Sequence, residues 1–569
     1  MSASQPSPLQ VVFCWHMHQP YYKGAGQRDY QLPWVYLHGV KDYADMAAHL
    51  ENNPEAKAVV NFAPVLLEQL DDYEQQLQAW LERGVLIRDP LLAALAGPGL
   101  PLDADARREI ISACLRANEH RLIQRFKHFD ELAKLARHAI EHPAVLPYLN
   151  DQFLTDLLVW YHLAWAGECV RINDLRIRSL QAKGRGFSND DRRALIELIW
   201  QTIKGLTPRY ARLAKRGQVE LSVTPYAHPI VPLLIDIESA KEALNTIQMP
   251  NLEAYPGGEA RSRWHIRKGV EVFRKHFGFT PRGCWPSEGA VSDATVKMLE
   301  EEGFKWAATG QQVLSNSLMA SNEGGQLPDN WVHSPYRLQE GRLNLFFRDD
   351  GLSDLIGFTY GEWHADDAVG DLINHLVNIA EACKNNPQAV VSIIMDGENA
   401  WEYYPNNGSY FLEAMYERIS RHPRLKLSTF SDTQRRTRRL APKLGRLVAG
   451  SWVYGTFTTW IGDKDKNRAW DLLGQAKKDY DEALKTKSYS DERMEELQRQ
   501  LGICEGSDWF WWFGDYNPST TVSDFEKLYR HHLSYLYELL EIPKPESLMQ
   551  VFAVGSGDPS LGGVMIKND

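Results

Sequence analysis

The chain has 569 residues, which is too many for one ordinary hydrophobic core and predicts about two to four domains. Its net charge of −11 argues against a nucleic-acid-binding protein, because such proteins carry basic surfaces. No apolar run approaches the ~18 residues of a membrane span, and the N-terminal MSASQPSPLQ has no signal-peptide pattern. The six cysteines are scattered without a CxxC pair, which predicts reduced thiols and a cytoplasmic protein.

Seven short apolar or alternating segments predict β-strands, near residues 11, 58, 219, 283, 305, 344 and 391. Most of them are separated by helical patterns. Between the second and third strands, residues 65–216 show apolar residues at helical spacing only, which predicts a large helical insertion. Seven parallel strands joined by crossover helices predict an α/β fold, a (β/α)7 barrel slightly smaller than the eight-stranded one.

These patterns divide the chain into three parts. Residues 1–407 form the predicted barrel, with its helical insertion at about 65–216. Residues 408–542 are again helical in pattern and predict a C-terminal domain that closes one side of the barrel mouth. The Gly-rich residues 543–569 predict a β-like tail, either a strand that packs back or the start of a truncated module.

The acidic segment MDGENAWEYYP follows the apolar run Val390–Met395, which suits a strand buried on both faces. Asp396 ends this strand, and Glu398 follows two residues later. A carboxylate at the carboxyl end of a buried strand lies where α/β folds carry their chemistry. Trp401 and the two following tyrosines favour a carbohydrate site over a plain acidic turn, because sugar rings offer apolar faces and hydroxyl edges.

A second carboxylate, Glu288, follows a short strand in RGCWPSEGAVS and directly precedes a helix with Ser292 as its predicted N-cap. Trp285 and Pro286 make the turn rigid, and Trp285 is also a candidate substrate contact. A carboxylate held by such a turn suits a nucleophile, and an exposed loop glutamate is nearly as good an interpretation.

Histidines mark the ends of two other predicted strands. His16 and His18 in HMHQP are placed to donate hydrogen bonds to substrate hydroxyls or to bind a metal, and spacing alone slightly favours a structural pair, because H-x-H is common. In GQVELSVTPYAHP, Glu220 lies inside a strand, where an unpaired carboxylate is rare unless that face is solvated. His228, in the following loop, is the better candidate for a ligand contact.

Further candidates come from FRDDGLSDLIGF and from two aromatic runs. Arg348 beside acids such as Asp354 is placed to hold a carboxylate ionised, although Asp-Asp-Gly also suits a plain turn. The aromatic runs at Trp452–Trp470 and Glu505–Tyr516 are interrupted by Gly and Asp, which favours loops with exposed rings over helical core. Their candidate ligand contacts are Trp460, Asp508 and Trp509.

Two carboxylates at different strand ends are what glycosidic-bond cleavage requires, one as nucleophile or base and one as general acid. The sequence has no phosphate-binding Gly loop, no GxSxG elbow and no HExxH helix. These absences point away from nucleotide, serine-hydrolase and zinc-protease chemistry.

Five motifs in order, HMHQP, GQVELSVTP, WPSEGAVS, MDGENAWEYY and EGSDWFWWFGD, resemble the signature regions of glycoside hydrolase family 57. The resemblance extends from His16 to about Tyr537 and is closest to amylopullulanase and α-amylase members. It implies a (β/α)7 barrel followed by a helical domain, and retaining attack on α-glucans without a catalytic metal or other cofactor.

The resemblance also implies roles for individual residues. Glu288 matches the family nucleophile and Asp396 the general acid/base. His16, His18 and Glu220 match substrate-pocket residues, while Trp401 and Trp509 match sugar platforms. The expected partner is an α-glucan polysaccharide or oligosaccharide, with no nucleic acid and no membrane.

Several alternatives remain open at the level of sequence. A 4-α-glucanotransferase or branching enzyme would use the same carboxylate pair, and neither the balance of hydrolysis and transfer nor the preference for α-1,4 or α-1,6 bonds follows from the motifs. A metal-dependent glycosidase or deacetylase and a non-catalytic glucan-binding protein are less favoured. The oligomeric state is not predicted.

Overall fold

A computed structural model describes residues 7–26, 29–97, 99–321, 327, 329–437 and 441–557 of the chain. The described residues contain ten β-strands. In chain order these strands are β1 (Leu9–Met17), β2 (Ala58–Phe62), β3 (Val219–Val223), β4 (Gly283–Cys284), β5 (Trp306–Thr309), β6 (Arg337–Leu338), β7 (Asn344–Phe347), β8 (Val390–Asp396), β9 (Leu425–Leu427) and β10 (Lys443–Leu444).

The α-helices fall into four groups along the chain. Two precede β2, α1 (Trp34–His38) and α2 (Ala44–Asn52). Between β2 and β3 lie α3 (Pro64–Arg83), α4 (Pro90–Ala96), α5 (Ala104–Cys114), α6 (Lys127–Glu141), α7 (Asp151–Ala164), α8 (Glu168–Asn173), α9 (Leu175–Lys183) and α10 (Asn189–Lys215). Between β3 and β10 lie α11 (Val231–Ile235), α12 (Gly258–Phe277), α13 (Asp293–Glu301), α14 (Gln311–Ser321), α15 (Asp350–Asp354), α16 (Ala365–Ala382), α17 (Ser409–Arg421) and α18 (Phe430–Thr437). The last group is α19 (Lys464–Thr486), α20 (Asp491–Cys504), α21 (Ser507–Trp512) and α22 (Ser519–Leu539).

Seven of the strands form one parallel sheet in the order β7-β5-β4-β3-β2-β1-β8. A β-bridge between Arg348 and Ser392 brings the end of β7 beside β8 and closes the sheet on itself. This arrangement confirms the predicted (β/α)7 barrel, and its seven strands lie where the sequence predicts them.

Two features of the sheet differ from the prediction. Strand β9 pairs in parallel with the start of β1, so the sheet continues past the expected boundary at residue 407. The segment after that boundary is also not purely helical, because β10 pairs with β6 in a separate two-stranded sheet. Strand β9 is only three residues long, which gives too little alternation to recognise from sequence.

Alternate side chains of the barrel strands fill its interior. Inward residues of β1 and β8 belong to a compact cluster that is separate from the larger core under the helices; they include Val12, Cys14, Val390 and Ile394. Because side chains alternate along a strand, His16 and Asp396 continue these two inward rows at the carboxyl ends. The two residues are also register partners, so they meet at the barrel mouth.

Helical segments surround this mouth. Within the described residues, the segment between β2 and β3 contains helices α3–α10 and no strand. Arg116, after α5, forms an ion pair of 3.6 Å with Asp524 of α22, so the insertion contacts the C-terminal helices. The described part of the predicted β-like tail, residues 543–557, holds a 3-10 turn and one β-bridge to Pro518 rather than a strand. Residues 558–569 of that tail lie outside the described residues.

All six cysteines are free thiols, and five of them are buried. No helix in the described part of the chain is both long enough and apolar enough to span a lipid bilayer.

Candidate active site

A cavity of about 660 Å³ lies at the carboxyl ends of the barrel strands. Its wall combines barrel residues with Arg116–Asn118 of the insertion and with residues of α21 and α22. Seven of the residues predicted from sequence line it together, namely His16, His18, Glu288, Arg348, Asp396, Glu398 and Asp508. The cavity therefore collects acidic, basic and aromatic groups from widely separated parts of the chain.

Asp396 is the last residue of β8 and points into the cavity from the inward row of the barrel. Asn399, in the 3-10 turn that follows, donates a hydrogen bond of 2.7 Å from Nδ2 to Asp396 Oδ2. Burial raises the pKa of Asp396 above its usual range, and the Asn399 hydrogen bond and the charges of His18 and Arg348 oppose this only in part. A carboxyl group in this setting is suited to hold a proton near neutral pH.

Glu288 reaches the cavity from a short turn after β4. The turn Ser287–Gly289 places Glu288 in the left-handed region, at φ 56°, which costs roughly 1–3 kcal/mol for a residue other than glycine. Backbone strain of this kind persists only where the surrounding structure holds the residue in that conformation. Burial raises the pKa of Glu288 well above its usual range, and the charge of Asp396 raises it further. The two carboxyl groups are therefore electrostatically coupled.

One hydrogen bond holds the Glu288 carboxylate. The indole Nε1 of Trp452 donates to Glu288 Oε2 at 2.9 Å, and this bond opposes the rise in the pKa of Glu288. Trp452 lies outside the barrel strands, in the segment between β10 and α19. The sequence places it 164 residues from Glu288 and gives no spacing that links the two, so this contact was not predicted.

Three histidines lie beside the carboxylates, with His228 buried behind His16 and His18. His16 Nδ1 donates to Asn61 Oδ1 at 2.7 Å, which leaves Nε2 of the neutral ring as an acceptor. His228 Nε2 therefore donates to His16 Nε2 at 3.2 Å, and His228 Nδ1 accepts from Ser507 Oγ at 2.8 Å. Burial lowers the pKa of His16 to about 3 and that of His228 well below its usual range, so both rings are neutral.

The same three histidines have ring nitrogens within 4.8 Å of one another, which makes them a candidate metal site. Their rings are stacked, however, with 13° between the planes of His18 and His228 and 18° between His16 and each of the other two. A histidine binds a metal through a lone pair in the plane of its ring. Nearly parallel stacked rings do not direct three lone pairs to one point, so this arrangement does not fit a three-histidine metal site.

His18 and Arg348 are two of the basic residues in the cavity wall. His18 Nε2 forms a contact of 2.8 Å with Asp508 Oδ1. Arg348 donates to the backbone oxygen of Ile394 at 2.9 Å and to Asp350 and Asp354 at 2.7 Å each. Asp354 does not line the cavity, so its observed contact is with Arg348 rather than with a ligand.

Glu398 also lines the cavity, and the residue is only 2% exposed. Its Oε1 accepts a hydrogen bond of 3.2 Å from Gln19 Nε2, while Oε2 has no partner among the described residues. Burial and the charge of Asp396 raise the pKa of Glu398 well above its usual range.

Three tryptophans predicted as ligand contacts do not reach the cavity. Trp401, Trp460 and Trp509 are all at most 2% exposed. Trp401 donates from Nε1 to Gly397 O at 2.9 Å and packs edge-on against Trp15. Trp509 donates from Nε1 to Ile503 O and packs against rings of α22. Trp401 and Trp509 are therefore not the predicted sugar platforms, and Trp460 is not the predicted ligand contact, because all three rings are part of the core.

Glu220 and Trp285 also lie away from the cavity wall. Glu220 belongs to the inward layer below that of His16, since it pairs with Val59 and through it with Cys14. Its carboxylate accepts from Trp306 Nε1 at 2.7 Å and from the backbone and hydroxyl of Ser431. Trp285 is fully buried beneath the cavity, where its ring packs against Trp452. The structure thus gives both residues packing roles in the barrel.

Other aromatic residues line the cavity instead. They are Tyr22, Trp34, Trp165, Phe358, Tyr403, Trp452, Trp511, Trp512 and Phe525. Trp452, Trp511 and Trp512 belong to the two aromatic runs singled out in the sequence, but the pattern did not show which rings face outward. Asn61 and Ser507, which fix the histidine rings, left no signal in the sequence that distinguishes them from ordinary polar residues.

A parallel barrel with a coupled carboxyl pair at its mouth defines a class of enzyme that acts on glycosidic bonds. Comparison with known families identifies the group within that class. The glycosyl hydrolase family 57 profile matches residues 12–444, and the chain belongs to this family.

Solved structures share the fold over most of the chain. One is a GH57 branching enzyme from Thermococcus kodakaraensis, with 16% identity, a TM-score of 0.55, and coverage of 93% of this chain and 89% of that chain. Another is the α-amylase AmyC from Thermotoga maritima, with 13% identity, a TM-score of 0.54, and coverage of 95% of both chains. A 4-α-glucanotransferase from Thermococcus litoralis has 14% identity and a TM-score of 0.50, and the match covers 95% of this chain and 61% of that chain. No curated protein sequence matches the chain significantly.

Proposed function

We propose that the protein is a retaining enzyme that cleaves α-glucosidic bonds in starch, glycogen, pullulan or maltooligosaccharides. The observation that carries the proposal is that Glu288 and Asp396, from two different strand ends, line one cavity and are electrostatically coupled. Membership of glycosyl hydrolase family 57 supports the glycosidic chemistry. The names of the structural neighbours, which include an α-amylase and a 4-α-glucanotransferase, support an α-glucan as substrate.

Double displacement requires one ionised and one protonated carboxyl group. Burial raises the pKa of both Glu288 and Asp396, and the charge of Asp396 raises that of Glu288 further, so the surroundings oppose ionisation of both groups at once. In the proposed mechanism Glu288 attacks the anomeric carbon while Asp396 gives its proton to the departing glycosidic oxygen. Water then gives its proton to Asp396 and its oxygen to the anomeric carbon, which releases Glu288.

A transferase with the same carboxylate pair is the second candidate. A branching enzyme and a 4-α-glucanotransferase share the fold, and the cavity is walled by the insertion and by α21 and α22 as well as by the barrel. A walled cavity limits the entry of water and so favours attack by a sugar hydroxyl on the glycosyl-enzyme. The two functions differ only in the acceptor.

Product analysis separates the two candidates. Purified protein is incubated with amylose, pullulan and maltooligosaccharides of single length. Shorter sugars alone indicate hydrolysis, whereas longer or branched products indicate transfer. We expect Glu288→Gln and Asp396→Asn to lower turnover at least about 10³-fold while each variant still unfolds cooperatively, at a temperature no lower than that of the wild type.

The exposed Glu253 supplies a matched control, and Glu253→Gln is expected to retain wild-type turnover. Retention of near wild-type turnover by either active-site variant would contradict the assignment of the pair.

A further inference from the structure

The segment between β10 and α19 fits closely onto the turn that carries Glu288. Gly450 and Val291 form an antiparallel bridge through two backbone hydrogen bonds of 2.9 and 3.1 Å. Trp452 N then donates to the backbone oxygen of Glu288 at 3.1 Å. The strained turn of Glu288 is therefore fixed from outside the barrel strands, by a segment more than 150 residues away in sequence.

The indole ring of Trp452 is held in place on two further sides. Its ring packs edge-on against Trp285 with 5.1 Å between centroids. The guanidinium carbon of Arg348 lies 5.6 Å from the Trp452 ring centroid, within cation–π range. The Nε1–H that reaches Glu288 Oε2 is thus held in a defined direction by its neighbours.

The other oxygen of Glu288 has no such partner. Glu288 Oε1 lies 3.8 Å from His228 Nδ1, but the hydrogen bonds of His16 and Ser507 place the His228 proton on Nε2. His228 Nδ1 therefore cannot donate to Oε1, and no donor of the described residues is within hydrogen-bond distance of this oxygen. The two carboxylate oxygens are chemically distinct in the folded protein.

We infer that Trp452 is a positioning residue for the proposed reaction: it holds Glu288 Oε2 and leaves Oε1 as the oxygen that attacks the sugar. The inference deepens the proposed function and rests on it. In the first step the bond from Oε1 to the anomeric carbon forms as the glycosidic bond breaks, and the departing oxygen takes the proton of Asp396. A donor fixed on Oε2 favours the ionised form of Glu288 and opposes the rise in the pKa of this carboxyl group.

The test compares Trp452→Phe with Trp285→Phe. Both changes replace an indole by a benzyl ring in the same aromatic contact, but Trp285 Nε1 has no hydrogen-bond partner among the described residues. We expect Trp452→Phe to lower kcat about 10- to 100-fold with KM changed less than about threefold, because the bond to the reacting carboxylate is lost while an aromatic ring remains in the contact with Trp285. The acid limb of its kcat/KM profile should move to higher pH, since removal of a donor to a carboxylate raises the pKa of that carboxylate.

In Trp285→Phe the acid limb should stay at the wild-type pH. A Trp452→Phe enzyme with wild-type kcat and an unmoved acid limb would overturn the inference. If Trp452→Phe does not fold, the ¹⁵N-labelled indole signals of the wild-type protein decide instead. One of them should shift with pH, and the shift should vanish in Glu288→Gln; indole signals that are identical in the two proteins would overturn the inference.

A mechanism-based fluoro-sugar separates this inference from the proposed function. If the wild-type protein shows neither turnover nor a covalent sugar on Glu288 by mass spectrometry, the proposed function fails and the role of Trp452 with it. If the wild type forms the adduct and Trp452→Phe forms it at the same rate, only the inference about Trp452 fails.

Discussion

At the scale of single residues, the cavity brings together two carboxyl groups that disfavour each other's ionisation. Glu288 and Asp396 are both buried, and the charge on Asp396 raises the pKa of Glu288. A protein of ordinary stability tolerates such a pair because the rest of the fold compensates for it. A functional carboxyl pair is therefore expected to lower the free energy of unfolding by an amount that depends on pH.

Glu288→Gln should stabilise the protein while it abolishes activity. A glutamate whose folded pKa is raised contributes its full stability below the unfolded pKa, about 4.3, and loses it as pH rises toward the folded pKa. The neutral amide does not have this pH dependence. Relative to the wild type, the gain should be near zero at pH 4 and about 0.5–2 kcal/mol at pH 7. Thermal unfolding at several pH values measures it.

The exposed Glu253 again supplies the control, because Glu253→Gln should give no gain that grows with pH. A Glu288→Gln gain that is absent at pH 7, or that is larger at pH 4 than at pH 7, would show that the carboxyl group is not strained by its surroundings.

The sequence located the polar groups of the site better than the aromatic ones. His16 and Asp396 end strands whose alternation directs them inward, so their meeting at the mouth follows from parity and register. Tryptophans offer no such rule, because an indole suits a core as well as a sugar platform. Trp401 lies in the core, whereas Trp452 lines the cavity. Only the packing of distant segments decides which of these two places a tryptophan takes.

At the scale of elements, the shortest pieces of structure contribute most to the site. Strand β4 has two residues, yet it sets the start of the turn that carries Glu288. The segment between β10 and α19 has no regular structure beyond its turns and still supplies Trp452. Sequence patterns predict long periodic elements well and short ones poorly, which is why the strands were found, while this segment was predicted only as a loop with exposed rings and Trp460, not Trp452, was chosen as its ligand contact.

Glycine at position 310 is what lets this segment approach the barrel. A Cβ atom at Gly310, directly after β5, would lie 2.6 Å from the Cα of Trp452 and 3.2 Å from Ser451 O. Gly310→Ala must therefore shift the backbone that carries Trp452. We expect kcat to fall at least about tenfold, since displacements of this size at a catalytic group carry such costs. Steady-state kinetics measures the fall.

Gly205, inside helix α10, provides the matched control, because a Cβ there meets no atom within 4 Å. Gly205→Ala should keep wild-type kcat and gain about 0.5–1 kcal/mol in unfolding free energy. Wild-type kcat in Gly310→Ala would show that the position of this segment does not matter for turnover.

At the scale of the whole molecule, three distant parts of the chain build one cavity. The barrel supplies the carboxyl groups, while the helical segment between β2 and β3 and the helices after β10 supply opposite parts of the wall. The seven strands and the helical segments were predictable from periodicity. Their mutual placement was not, because it depends on contacts such as Arg116 with Asp524 that no local pattern encodes.

The Arg116–Asp524 pair joins these two wall segments, and both of its residues line the cavity. The side chains are 47% and 43% exposed, so the pair contributes at most about 1 kcal/mol to stability. Removal of this ion pair should instead change how easily water enters the cavity. We expect Arg116→Ala to raise the share of glycosyl-enzyme that reacts with water by about twofold or more, because an open wall admits water. Quantification of free and transferred sugars from maltooligosaccharides measures this share.

Arg424→Ala is the matched control, since it removes the ion pair with Glu381, which is also solvent-exposed and does not line the cavity. Both variants should unfold within about 1 kcal/mol of the wild type, and only Arg116→Ala should change the ratio of hydrolysis to transfer. An unchanged ratio in Arg116→Ala, or an equal change in Arg424→Ala, would mean that water reaches the glycosyl-enzyme by another route. The partition would then be set by other groups that line the cavity, such as Glu398 and the aromatic residues.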